Sequence, residues 1–82
     1  MASTETLVGV RDVLSTIASI DASEVAPERT LAELGLDSLA TLELIVATED
    51  RFGVLIPDDV WARFRTVGDV VGHLERSAAG LP

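Results

Sequence analysis

Apolar residues recur along the chain at three- and four-residue steps, and those steps divide it into helices. From Thr4 to about Ile20, Leu7, Val10, Leu14 and Ile17 share one stripe that Val13 widens, the pattern of an amphipathic helix. Asp21, Ala22 and Ser23 interrupt it, and Pro27 disfavours helical backbone in the residue before it. A long connection then runs to Gly35. Leu31, Leu34 and Leu36 are expected to tuck it against the bundle, with a short helical turn inside it, because a structureless loop of that length is unusual in a small domain. A second helix begins at Asp37 or Ser38, both good N-cap residues, runs to about Arg51, and is closed by Phe52 and Gly53. Pro57 opens a short helix reaching about Arg63, with Asp58 and Asp59 in its first turn, where the helix dipole favours negative charge. Thr66 caps a last helix, with Asp69 at the capping-box position and Val67, Val70, Val71 and Leu74 as its buried stripe. The expected fold is all-α: a four-helix bundle of three longer helices and one short one, with a long loop between the first and second. It is expected to be a single domain over residues 1–82, with a core over about 4–76 and a frayed tail over 77–82.

The second helix carries two apolar faces. At about 100° per residue, Thr41, Leu44, Ile45, Thr48 and Phe52 fall on one side, and Leu39, Leu42 and Val46 on nearly the opposite side, beside Ser38. A helix in a small bundle needs only one buried stripe. The second stripe keeps company with Glu43, Glu49 and Asp50, so it reads as an acid-rimmed docking surface. The alternative is a central helix buried on both sides.

Charge changes the picture further. Fourteen acidic residues face six basic ones, all arginine, for a formal net charge of −8. That field repels phosphate backbones, which disfavours nucleic-acid binding, and steers the domain toward basic patches on protein partners. The plainer reading is that the acids keep a small protein in solution. The chain has no cysteine, so disulfides, thiolate catalysis and cysteine metal sites are excluded. Only Phe52, Trp61 and Phe64 are aromatic, so the core must come from Leu, Val, Ile and Ala. No apolar run approaches the roughly 18 residues a membrane span requires, and no basic residue precedes an apolar stretch at the N-terminus; a cytoplasmic monomer is expected.

Ser38 at the head of a helix is first of all a cap. What distinguishes it is an exposed loop–helix junction, Gly35-Leu36-Asp37-Ser38-Leu39, where a phosphodiester would meet the positive end of the helix dipole. No base lies nearby in sequence, and the single histidine, His73, falls outside the last helix's apolar stripe and reads as a surface residue. Without a base or an oxyanion motif, Ser38 is a poor nucleophile for catalysis within the chain and a better substrate for another enzyme.

These residues resemble a known family. Leu34-Gly35-Leu36-Asp37-Ser38-Leu39, with Glu43 five residues beyond the serine, is similar to the phosphopantetheine attachment signature of acyl carrier proteins. Glu49-Asp50-Arg51-Phe52-Gly53-Val54-Leu55-Ile56-Pro57-Asp58-Asp59 resembles the end of their second helix and the start of their third, and Thr66-Val67-Gly68-Asp69-Val70 the start of their fourth. The resemblance covers about residues 31–74.

The resemblance implies a four-helix bundle of acyl-carrier type that is not an enzyme but the substrate of others. A magnesium-dependent phosphopantetheinyl transferase would pass 4′-phosphopantetheine from coenzyme A to the Ser38 oxygen. The thiol of the arm would then carry acyl groups as thioesters, which resolves the missing cysteine. It further implies that Asp37, Leu39, Leu42, Glu43, Val46, Glu49 and Asp50, joined by Asp58 and Asp59, meet basic, partly apolar patches on the transferase, a ketosynthase and other acyl-processing enzymes. Ile45, Ile56, Val60 and Leu74 are candidates to shelter a growing chain, with core packing the simpler reading for each. The Ile-Pro-Asp-Asp-Val run resembles discrete carriers of type II polyketide synthases, while Ser38-Leu39-Ala40-Thr41-Leu42-Glu43-Leu44 resembles fatty-acid carriers equally well. A non-carrier acidic helical adaptor and a small serine hydrolase are the competing classes.

Overall fold

The computed structural model describes residues 4–78. Its elements are α1 (Thr4–Ala18), a 3-10 turn at Ala22–Glu24, α2 (Ser38–Phe52), the single-turn α3 (Asp58–Trp61) and α4 (Val67–Ala78). The four α-helices confirm the all-α bundle, three long and one short. Among the described residues no helix is long and apolar enough to cross a membrane.

Each boundary has a local cause. Helix α1 stops at Ala18, two residues before the sequence placed its end, because Ser19 takes a left-handed backbone with φ of 53°. Asp21 then caps the 3-10 turn by accepting the Ser23 amide at 3.0 Å. Gly53, with φ of 66°, closes α2 in the left-handed conformation that glycine adopts without a Cβ penalty. Pro57 caps α3 from outside, in extended backbone, and the helix ends at Trp61, short of Arg63, as 3-10-type bonds from the Arg63 and Phe64 amides tighten the chain. At α4 the capping box is complete: the Asp69 amide donates to Thr66 Oγ1 at 3.2 Å and the Thr66 amide to Asp69 Oδ2 at 3.1 Å. This helix runs to Ala78, so residues 77 and 78 of the expected tail are helical, and the remainder of that tail lies outside the described residues.

The core is aliphatic. Val10, Val13 and Leu14 of α1 meet Leu44 and Ile45 of α2 and Val67, Val70, Val71 and Leu74 of α4, all buried, with α1 packed against both other long helices. Burying each such Val, Leu or Ile side chain contributes about 1.5–3 kcal/mol relative to exposure, which is the main stabilisation available to so small a domain. The long loop is not free. Val25, Leu31 and Leu36 are buried, and the loop backbone is laced to the segment before and into α4: the Leu31 amide donates to Arg65 O at 2.8 Å, Val67 to Arg29 O at 3.0 Å and Gly68 to Pro27 O at 2.8 Å. This lacing sets the loop that delivers Ser38 against the chain that follows α3.

Candidate functional site

Asp37, rather than Ser38, is the N-cap of α2. Its Oδ1 accepts the Ala40 amide at 2.8 Å and its carbonyl accepts the Thr41 amide at 2.8 Å. Gly35, at φ of 80°, turns the chain, and buried Leu36 donates its amide to Leu31 O at 3.1 Å, fixing the approach. Ser38 is thereby placed as the first helical residue, exposed, and its Oγ has no hydrogen-bond partner among the described residues. Because the neighbouring aspartate does the capping, the serine hydroxyl is left free.

The two faces of α2 separate as the periodicity predicts. Leu44, Ile45 and Thr48 are buried, whereas Leu39, Leu42 and Val46 are 66, 44 and 56 % exposed. The helix is therefore not buried on both sides. Exposed Asp37, Glu43 and Asp50 flank the open stripe, and a shallow depression over Ile17, Leu42, Glu43, Val46, Ala47 and Asp50 continues it toward α1. Glu49 shares this side but is half-buried, its Oε2 accepting the Ile56 amide at 2.7 Å. Asp58 and Asp59 are exposed on α3, and Asp58 Oδ1 accepts the Trp61 indole N–H at 3.1 Å.

A second feature beside Ser38 escaped the sequence reading. An open groove of about 600 Å³ is lined by Thr30, Leu31, Ala32, Leu36, Asp37, Ser38, Thr41, Trp61, Ala62, Phe64 and Arg65. The one available signal was the spacing of Trp61 and Phe64, three residues apart on a helical turn and so on one face. Of the residues considered for sheltering a chain, Ile45, Ile56 and Leu74 are buried in the core, and half-buried Val60 borders a different groove with His73. His73 is itself more enclosed than a surface residue: its Nε2 lies 3.3 Å from Leu55 O and 3.4 Å from Ser77 Oγ, with its ring tilted against Phe64 at 6.0 Å. It lines the α4 groove rather than the one at Ser38. Among the described residues no group of acidic or histidine side chains could hold a metal ion.

A family model of the phosphopantetheine attachment site matches residues 8–74. The chain is 42 % identical over 73 residues to the meromycolate extension acyl carrier protein of Mycolicibacterium smegmatis, covering 88 % of this chain and 74 % of that protein. It is 40 % identical over 73 residues to the acyl carrier protein of Thermobifida fusca, covering 88 % of this chain and 92 % of that one. The meromycolate extension acyl carrier protein of Mycobacterium tuberculosis is also 40 % identical over 73 residues, and there the match spans only 64 % of the relative's length. With its helical bundle, the chain belongs to the acyl carrier protein family, whose cofactor is covalently held 4′-phosphopantetheine. An exposed, unbonded hydroxyl at a helix head fits the attachment of that group.

Proposed function

We propose that this chain is a single carrier domain in which Ser38 bears 4′-phosphopantetheine and presents thioester-bound acyl groups to biosynthetic enzymes. The observation that carries the reading is the free, exposed Ser38 hydroxyl beside the open Leu39, Leu42 and Val46 stripe. The prosthetic group supplies a thiol, whose thioesters are readily transferred and whose α-protons are relatively acidic. The chain supplies position. Asp37 holds the helix head so that Ser38 faces solvent, and the first-turn amides of α2 favour the negative charge of a phosphodiester. Leu39, Leu42 and Val46 offer apolar contact area to a partner, while Asp37, Glu43 and Asp50 orient it through complementary charge. Glu49 contributes by holding the loop after α2, and Asp58 and Asp59 extend the acidic surface onto α3. Family membership favours this carrier reading over an adaptor or a hydrolase.

The pathway proposed is a type II polyketide synthase, supported by the Phe-Gly-Val and Ile-Pro-Asp-Asp-Val runs. The relatives named for meromycolate extension favour a second reading, a carrier for fatty-acid chains. Intact mass after incubation with coenzyme A, magnesium and a promiscuous phosphopantetheinyl transferase tests the carrier assignment. The wild type should gain one phosphopantetheine and Ser38→Ala none; an unmodified wild type refutes it.

A further inference from the structure

We infer that the groove beside Ser38 selects planar, aromatic or conjugated acyl groups over straight alkyl chains, and that Trp61 sets this preference. The inference rests on Ser38 carrying the arm. Leu31 and Leu36 form an aliphatic part of the lining, and Trp61 and Phe64 bring two aromatic rings to the same groove. The indole is not loose: its N–H donates to Asp58 Oδ1 at 3.1 Å, within the single turn of α3. A ring held in place can be stacked upon with little ordering cost, and aromatic pairs gain from offset or edge-to-face geometry beyond their area. Polar Thr41 and Arg65 also line the groove, and a guanidinium attracts an aromatic face as well as oxygen substituents on it. A saturated chain can pack on Leu31, Leu36 and the ring faces through apolar area alone, but it gains nothing from stacking geometry or from the guanidinium.

Shape argues the same way. A straight chain is best hidden in an enclosed apolar interior, and the core residues that would line one, Ile45, Ile56 and Leu74, are packed against other side chains and absent from the groove's lining. The groove is broad and open to solvent, so it can cover one face of a flat group while leaving the other exposed.

Trp61 is the only tryptophan in the chain, so its emission reports this groove alone. The apo-protein is to be loaded by the transferase from coenzyme A thioesters of a naphthoyl group and of a straight-chain acyl group with equal carbon count. The whole acyl-phosphopantetheine thus passes to the Ser38 oxygen and adenosine 3′,5′-bisphosphate leaves. Loading is verified by intact mass, and melting temperature and Trp61 emission are then measured. The expected result is a higher melting temperature and quenched emission for the naphthoyl form, with the straight-chain form close to the unacylated holo-protein. In Trp61→Leu the two acyl forms should melt alike; Trp61→Phe, which keeps a ring, should retain part of the naphthoyl preference. An equal or larger shift from the straight chain, or no shift from either, overturns the inference while leaving the carrier assignment intact. Absence of any mass gain overturns the carrier assignment itself, and the inference with it.

Discussion

Thr48 sits in the middle of α2 with a fully buried hydroxyl that has no hydrogen-bond partner among the described residues. An unmade buried bond costs about 1–3 kcal/mol of desolvation, whereas a methyl of the same shape in the same place costs nothing of the kind. Thr48→Val should therefore leave stability unchanged or raise it by about 1 kcal/mol, measured by urea denaturation. Thr48→Ala removes the methyl as well and should lower it by about 1 kcal/mol through the void left behind. A loss in Thr48→Val comparable to that in Thr48→Ala would mean the hydroxyl is bonded in solution. Periodicity placed Thr48 on the buried side of α2, but no pattern in a sequence distinguishes a satisfied hydroxyl from an orphan. The same limit applied at Ser38: the residues gave the junction, and only the geometry shows that Asp37 does the capping and leaves the serine free.

Where helices meet, one small residue decides how closely they approach. A Cβ on Gly9 of α1 would collide with the Phe52 ring of α2 and lie 3.3 Å from Arg51 Nε, beside the Asp12–Arg51 ion pair of 3.2 Å. Gly9→Ala gains about 1 kcal/mol of helix propensity, yet forcing a group into a packed contact costs about 1–3 kcal/mol. The net expectation is a loss, and combining Gly9→Ala with Phe52→Leu should recover it, giving a coupling energy in a double-mutant cycle. The start of α4 makes a different prediction. Amides of Arg65 and Thr66 donate to the Asp69 carboxylate at 2.8 and 3.1 Å and hold its pKa below the ordinary value. A depressed folded-state pKa stabilises the fold above the ordinary carboxylate pKa of about 4, and that stabilisation fades as pH falls through the folded value. Wild type should therefore exceed Asp69→Asn in stability at neutral pH, and the gap should close on acidification below about pH 4. The Asp21 and Glu33 carboxylates are also held low, by bonds from Ser23 and Thr30, but both remain in the variant, so the difference isolates Asp69. Helix identities and the capping box were legible because they rest on local spacing. The early end of α1 was not, since Ser19 in a left-handed conformation is a choice its residue type does not advertise.

At the scale of the molecule, the sequence showed the two-faced helix and the acidic excess but not the groove at Ser38. That groove brings residues 30–32 to residues 61–65, a long-range pairing set by backbone bonds such as Leu31 to Arg65 that no periodicity encodes. The acidic excess, by contrast, has consequences that need no contact geometry. A net charge of −8 with Asp37, Glu43 and Asp50 around the exposed stripe creates a field that reaches beyond any single contact and is screened over about 8–10 Å in ordinary buffer. Charges around an interface act mainly on encounter, while apolar contacts at its centre act mainly on dissociation. The two kinds of variant should thus separate in a binding experiment with a basic transferase followed by surface plasmon resonance. Raising salt from low to above physiological concentration should slow wild-type association by about tenfold. The Glu43→Gln, Asp50→Asn double variant should start slower and show a flatter salt dependence. Leu42→Ala and Val46→Ala should keep the wild-type salt slope and dissociate faster, because the field is intact and the contact area is not. If the neutralised acids raised dissociation alone, with the salt slope unchanged, the acidic rim would be a set of bound contacts rather than a steering field.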